Sequence, residues 1–263
     1  MRQSGSRNGA CMATLLSQSK QPKKLGTAEL LFTSAQELGL NPTWLDYRKI
    51  FTIQTPTGEK YIDHACSMLN PVASAMQVQD KYLTRVILDR HGLPNIPYAL
   101  PKNLGQAEAF LAEHGEIIVK PKSGSGSYNI RRISNKTELI DIVYPKFIFE
   151  KYIPGREMRY LVLDGKVIAV HQSNYGESVA IDRELQRISY EPNEWNTEKC
   201  AMALKIAEIF NLHLTAVDFM VLPDESYVIL EVNSSPGFKW FHSPSSGPAV
   251  NVATPFLKAI IAK

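Results

Sequence analysis

The sequence predicts an α+β fold built on antiparallel sheet, and three observations carry that expectation. Short strand and helix patterns alternate after Pro94. Asp164-Gly165 sits between two strand-like runs, 158–163 and 166–171, and is the strongest short hairpin signal a sequence offers. Residues 214–222 and 226–232 form a second such pair around a four-residue turn. Hairpins join antiparallel neighbours, so the pattern is not a βαβ series with a parallel sheet.

Each element has its own warrant. Residues 29–40 have helical spacing and stop at Gly39, a good residue to end a helix. Residues 44–62 alternate loosely around Thr57-Gly58 and read as a short hairpin. Residues 79–91 read as a helix with Leu83, Val86 and Ile87 on one face, ended by Gly92 and Pro94. Asn103 opens a helix to about Glu113, and Ile117–Lys120 is a buried type of strand. Asn135 with Glu138 makes a capping box for a helix to about Val143. Phe147–Tyr152 is a strand. Residues 172–196 are polar with few apolar anchors and read as a long loop, a type of segment that is usually functional or mobile. Thr197–Asn211 is a helix with a stripe of Cys200, Ala203, Leu204 and Ala207. Thr254–Ala262 is a last helix, opened by Pro255.

Charge and composition exclude several classes. The chain has 263 residues and a net charge of +3. Residues 1–28 hold Arg2, Arg7, Lys20, Lys23 and Lys24 and no acid, which leaves a body with 24 bases and 26 acids. A nearly neutral body argues against a general nucleic-acid binder, because phosphate affinity depends on clustered positive charge. Residues 1–24 read as a disordered basic leader. No apolar run approaches the ~20 residues of a membrane span, and Ala10–Leu16 is too short and mixed for a secretory signal. Cys11, Cys66 and Cys200 show neither metal spacing nor a disulfide framework, which fits a cytoplasmic location.

Three constellations carry chemistry. In the hairpin 214–232, turning at Pro223–Ser226, Val217 opposes Val232, Phe219 opposes Leu230 and Val221 opposes Val228, giving one apolar face. On the other face Asp218 opposes Glu231 and Ala216 opposes Asn233. Two opposed carboxylates repel, so something positive should sit between them. Asp218, Glu231 and Asn233 offer only oxygen, which suits Mg²⁺ rather than zinc. A solvated hairpin face without an ion is the alternative. The second constellation is I-I-V-K-P-K-S-G-S-G-S-Y, residues 117–128, a strand entering a small-residue loop with Lys120 and Lys122 at its mouth. Such a loop lets backbone N–H groups approach phosphate oxygens, though it equally reads as a flexible hairpin tip. It is not a Walker A loop. The third is F-I-F-E-K-Y-I-P-G-R-E-M-R, residues 147–159, in which Glu157 and Arg159 share a face, as ribose and phosphate ligands or as a plain surface ion pair.

The order Lys81, Lys120 with its loop, Glu150 to Arg159, then Asp218 and Glu231-x-Asn233 resembles the ATP-grasp fold, in which two α+β lobes clasp ATP. The closing L-E-V-N-S-S-P-G-F-K-W-F is similar to that of RimK and related carboxylate–amine ligases, and the short stretch before the match resembles that of cyanophycin synthetase and bifunctional glutathione synthetases. The resemblance covers about residues 79–263, with a small lobe at about 95–153. Residues 25–78 then form a short, truncated counterpart of the domain that precedes the ATP-grasp fold.

The resemblance implies roles. Lys81 and Lys120 would contact phosphates, and Ser123, Gly124, Ser125, Gly126 and Ser127 would form a flap over them. Glu150 would bind the adenine amino group, with Lys151, Tyr152 and Ile153 lining the hinge. Glu157 would take the ribose and Arg159 the transferred phosphoryl group. Asp218, Glu231 and Asn233 would ligate two Mg²⁺ ions, with Mn²⁺ as a substitute. Arg187, in the loop with Arg183, would bind the substrate carboxylate or the oxyanion, against the plainer reading of a solvated arginine. His171 reads as structural, and Trp240 and Phe241 as core. Three positions depart from family patterns: Ser127 and Asn129 replace flap glycines, and Ala216 replaces the arginine of D-alanine–D-alanine ligases.

The implied reaction is ATP-dependent amide formation through an acylphosphate on an amino-acid, peptide or protein carboxylate, with release of ADP and phosphate. Small-molecule or peptide acids and amines are the implied partners, and a homodimer is compatible with the family. Two other outcomes stay open: an ATP-grasp thiol ligase or small-molecule kinase, recognised by a different product, and a non-catalytic ATP-binding module, which would have no need of three metal ligands.

Overall fold

The computed structural model describes residues 25–46, 48–65, 68–124, 129–174 and 186–263. The basic leader, Arg183, Cys66 and the flap residues Ser125, Gly126 and Ser127 lie outside them.

The element that organises the site is a five-stranded antiparallel sheet ordered β10-β9-β8-β11-β12. Its strands are β8 (Arg156–Leu163), β9 (Lys166–Asn174), β10 (Gln186–Ser189), β11 (Leu214–Val221) and β12 (Tyr227–Asn233). One face is apolar. Tyr160, Val162, Val170, Val217, Phe219 and Val232 pack there against α5 (Thr197–Ile209) through Ala203, Ile206 and Ala207. The opposite face is divided. Its Leu161, Leu163, Ala169, Leu214 and Ala216 are covered by α1 (Thr27–Glu37), α7 (Ala253–Ile261) and the sheet β1 (Thr43–Trp44), β2 (Ile50–Thr55) and β3 (Gly58–Asp63). The rest of that face is polar and lines a cavity.

Beyond the cavity stands a second, four-stranded antiparallel sheet ordered β4-β7-β5-β6. It comprises β4 (Tyr98–Ala99), β5 (Ile117–Pro121), β6 (Arg131–Ile133) and β7 (Phe147–Lys151). Ile117, Val119, Ile133 and Phe149 pack there on α4 (Leu104–His114). Helices α2 (Val72–Gln79) and α3 (Lys81–Arg90) link the two lobes, and α6 (Lys239–His242) follows β12. The family resemblance therefore meets an α+β architecture of two lobes. No helix among the described residues is long and apolar enough to cross a membrane.

Local chemistry explains most boundaries. Asn103 and Asn196 cap α4 and α5, accepting from Gln106 N at 3.0 Å and Lys199 N at 2.9 Å. Asp164 and Gly165 both have positive φ, 44° and 72°, as a two-residue hairpin of the primed type requires. Asn70 is buried and satisfies all its groups. Its amide nitrogen donates to Leu214 O and Ser234 O, and its oxygen accepts from His213 N and Leu214 N.

Several expectations are corrected. Helix α2 has no stripe to announce it, since Val72 and Met76 are exposed and only Ser74 and Val78 are buried. On α3 Leu83 is exposed, and the buried face is Thr84, Arg85 and Leu88. The capping box at Asn135 opens only one 3-10 turn, Lys136–Leu139, after which Ile140 and Val143 are exposed. The loop expected over 172–196 contains the end of β9 and the whole of β10. Its strand pattern is hidden because the buried positions His171, Ser173, Arg187 and Ser189 are polar, and Arg187 among them borders the cavity. The β11–β12 register holds for Ala216–Asn233, Val217–Val232 and Asp218–Glu231 and then shifts, so that Phe219 opposes Ile229 and Val221 opposes Tyr227. The extra residue is Leu230, a bulge on β12.

Strand β10 is held at its outer edge by residues 245–247. Ser245 N donates to Arg187 O at 2.8 Å, and Ser189 N donates to Ser246 O at 3.0 Å. Gly247 has φ +82°, and a Cβ there would lie 2.0 Å from Ser189 O. Gly247→Ala should cost about 2 kcal/mol or more, because left-handed strain and a backbone clash add. Thermal unfolding will show it, and a melting temperature equal to wild type would contradict this reading.

Candidate active site

The polar part of the large sheet is organised in rows. Opposite one another on β9, β8, β11 and β12 stand His171, Arg159, Asp218 and Glu231. The neighbouring row on one side carries Arg187, Ser173, Glu157 and Met220, and the row on the other pairs Ala216 with Asn233. Alternation along each strand places all of these on one face. Glu157, Arg159, Arg187, Asp218, Glu231 and Asn233 line a cavity of about 1480 Å³.

The positive group is expected between the two opposed acids, but the cation that meets them, Arg159, stands on the far side of Asp218 from Glu231 because β8 pairs with the other edge of β11. Its Nε and Nη2 each donate to an Asp218 oxygen at 2.6 Å. Burial works against the charge on Arg159, but the Asp218 carboxylate outweighs it and raises the guanidinium above its ordinary range. Burial pushes the Asp218 carboxyl upward while Arg159 pulls it down. On balance burial prevails, and the Asp218 carboxyl lies above its ordinary range. His171 is buried against Phe241, with ring centroids 4.7 Å apart, and its Nδ1 has no hydrogen-bond partner among the described residues. Burial, then Arg159 and Arg187, hold it well below the usual histidine value, so it is neutral at pH 7.

The small lobe supplies the other wall. Lys81, Lys120, Ser123, Gly124, Glu150, Lys151, Tyr152 and Ile153 all border the cavity. Lys81 Nζ donates to Gly124 O at 2.6 Å, and burial lowers its pKa. Asp80 caps α3 through Leu83 N and pairs with Lys122 at 2.9 Å, which ties the start of the helix to the base of the flap. Both oxygens of Glu150 are engaged, one by Lys120 Nζ at 2.7 Å and the other by Arg85 Nε at 2.8 Å. Burial alone would raise its pKa, yet the two cations overcome this and hold it at about 2. The Lys151 amide donates to Pro97 O and the Tyr152 amide to Glu116 O.

Three residues of the cavity region have roles that pattern reading did not supply. Trp240 lines the cavity instead of the core, with the Arg187 guanidinium 5.5 Å and Lys239 Nζ 4.8 Å from its ring centre. Phe241 is core, as expected. Ser173 donates to Glu157 at 3.2 Å. Arg85 is wholly buried; its spacing of four from Lys81, which puts both on one helix face, was the available signal.

The donors suit a hard cation. Asp218, Glu231 and Asn233 present carboxylate and amide oxygens only. Among the described residues no three His, Cys, Asp or Glu side chains cluster as a metal centre. The third donor is an asparagine, whose Oδ1 accepts from Ser235 N at 3.0 Å, and Asp218 is held by Arg159.

Comparison with known proteins agrees with this geometry. Residues 78–260 match the model of the RimK-like ATP-grasp domain, and the chain belongs to that family of ATP-grasp carboxylate–amine ligases. It is 26% identical over 216 residues to the tetrahydromethanopterin:alpha-L-glutamate ligase of Methanocaldococcus jannaschii, covering 77% of this chain and 72% of that protein. The macrocyclase MdnC of Microcystis aeruginosa, solved with its precursor peptide MdnA, has the same fold, with a TM-score of 0.64 at 16% identity over 89% of this chain and 95% of that one. The ATP-grasp ligase PsnB, solved with a minimal precursor, Mg and ADP, has a TM-score of 0.60 at 23% identity. There the match covers 74% of this chain and spans 61% of the PsnB chain.

Proposed function

We propose that this protein joins a carboxylate to an amine with ATP, releasing ADP and phosphate through an acylphosphate. The observation that carries the reading is convergence. Three cations, Lys81, Lys120 and Arg159, and three oxygen donors, Asp218, Glu231 and Asn233, come from two lobes to one cavity. A triphosphate needs the first set, and Mg²⁺ shared with its oxygens needs the second. Bound there, Mg²⁺ would neutralise developing phosphoryl charge. Two ions would fit a set of three ligands shared with phosphates, and Mn²⁺ would accept the same oxygens.

The adenine end belongs at Lys151–Ile153. Because Glu150 is engaged by Arg85 and Lys120, its proposed task shifts from the adenine amino group to holding Lys120. Ile153 and the Lys151 carbonyl remain for the base, and Glu157 for the ribose. Ser123–Ser127 would cover the phosphates, keeping water from the acylphosphate.

The acid substrate belongs at the far end, between Arg187, Trp240 and Lys239. Two cations beside an aromatic face suit the carboxylate of an amino acid, a peptide or a protein end. The related ligases named for glutamate and for precursor peptides support this class. The test is an ADP-release screen over amino acids and short peptides, with mass detection of the amide. ADP formed only when acid and amine are both present is expected. AMP, or a phosphorylated product without an amide, would overturn it.

With a substrate in hand, Arg187→Ala should raise KM for the acid about tenfold or more, the loss of one charge-assisted contact. ADP affinity should stay unchanged. A shift in ADP affinity with no change in KM for the acid would place Arg187 at the nucleotide instead.

A further inference from the structure

Arg85 is 2% exposed and has four acceptors from three parts of the chain. Its Nε donates to Glu150 Oε1 at 2.8 Å, and its Nη1 to Asn95 Oδ1 at 3.0 Å and Ile229 O at 2.6 Å. Its Nη2 donates to Leu230 O at 2.6 Å. The second oxygen of Glu150 holds Lys120. One planar group thus joins the small-lobe strand that anchors Lys120 to the large-sheet strand that carries Glu231.

Two consequences follow. The first is electrostatic. Arg85, Glu150 and Lys120 together carry one net positive charge, so Lys120 keeps attraction to offer an anion. Without Arg85 the buried carboxylate would close on Lys120 alone and cancel it. The second is geometric. The carbonyls that Arg85 holds flank the Leu230 bulge, immediately before Glu231. A bulge is a joint where strand direction can change, and a fork holding both carbonyls fixes it. A lysine has one ammonium and cannot span four acceptors in this arrangement.

We propose that Arg85 is a positioning residue that sets Lys120 and Glu231 at a fixed separation across the cavity and keeps the charge of Lys120 available to a phosphate. This rests on the nucleotide-binding reading above. The test is calorimetric titration of the full chain with ADP and Mg²⁺, for wild type, R85M, R85K and L88A. Leu88 is buried on the same helix and does not line the cavity, so L88A controls for lost stability.

At a temperature where circular dichroism shows each variant folded, R85M should bind ADP about tenfold or more weakly, as expected for losing charged hydrogen bonds in a buried network. R85K, which keeps the charge but loses the fork, should fall between R85M and wild type. L88A should stay within about twofold of wild type, as a site outside the network should. Hydrogen exchange should quicken in segments 147–151 and 227–233 of R85M and not of L88A. R85M binding as tightly as wild type, or L88A weakening as much as R85M, would overturn the proposal. If R85M does not fold, R85K carries the test, and wild-type affinity in R85K overturns it. A wild-type protein that binds no ADP instead overturns the nucleotide reading itself, and this inference with it.

Discussion

Glu231→Gln should abolish ADP release while leaving the protein folded. The loss should be about a thousandfold or more, because a metal-held phosphoryl charge is worth several kcal/mol and each 1.36 kcal/mol is a factor of ten. A glutamine keeps one oxygen and the size of the side chain but removes the charge that draws a divalent ion. The neighbouring acid would give a less clean result. Asp218 holds Arg159 through two bonds of 2.6 Å, so Asp218→Asn would also weaken the grip on a half-buried guanidinium and mix lost chemistry with lost stability. Glu231 is half-buried at the cavity, and its replacement should move stability by no more than about 0.5 kcal/mol. Steady-state ADP release and thermal unfolding measured on one preparation give both numbers. Full turnover in the Glu231→Gln protein would remove the metal reading of this face.

Glu150→Gln should have the largest effect on stability. The carboxylate is buried between Arg85 and Lys120, and its neutral replacement leaves two buried cations without a counter-charge. Breaking such a pair from one side costs about 3–5 kcal/mol. The pH dependence gives an independent measure. The folded protein holds Glu150 at about 2, against an ordinary value of 4.5. A depressed carboxylate stabilises the fold above its unfolded value, and that contribution is lost as pH falls through the folded one. The Glu150 contribution, roughly 3 kcal/mol at neutral pH, should therefore drain away between about pH 4.5 and pH 2. Denaturant midpoints across that window should fall more steeply for wild type than for Glu150→Gln. Equal slopes would show that the carboxylate is not paired as described.

These two residues illustrate how much of the site is legible in the sequence. The pairing of Asp218 with Glu231 can be read from residue order alone, because Val217 and Val232 fix their strands' register by burial on the other face. The same reasoning fails at the next residue, Leu230, since a bulge depends on what its carbonyls meet, and Arg85 comes from a helix more than 140 residues away. Glu150 is legible as a site residue, but its partners are not. A strand pattern marks which side chains turn inward and leaves open which cations arrive from the opposite wall. Strand β10 escapes pattern reading for a related reason. Its inward face is polar because it borders a cavity, and hydrophobic alternation marks only faces that border a core.

The sequence by itself determined the α+β class, the two hairpins of the large sheet, most helix starts and the ordered series of charged residues that marks an ATP-grasp ligase. The class, the hairpins and the helix starts rest on local rules: caps, turn residues, and the period-two alternation of a strand with one buried face; the charged series is read by its resemblance to the family. Only the tertiary structure decided how that series is wired. It paired Arg159 with Asp218, engaged both oxygens of Glu150, set Trp240 beside Arg187 in the cavity and buried Arg85 between the lobes. The physical reason is that a buried charge must find its partners wherever packing brings them. Those partners lie far apart in sequence, where no periodicity connects them.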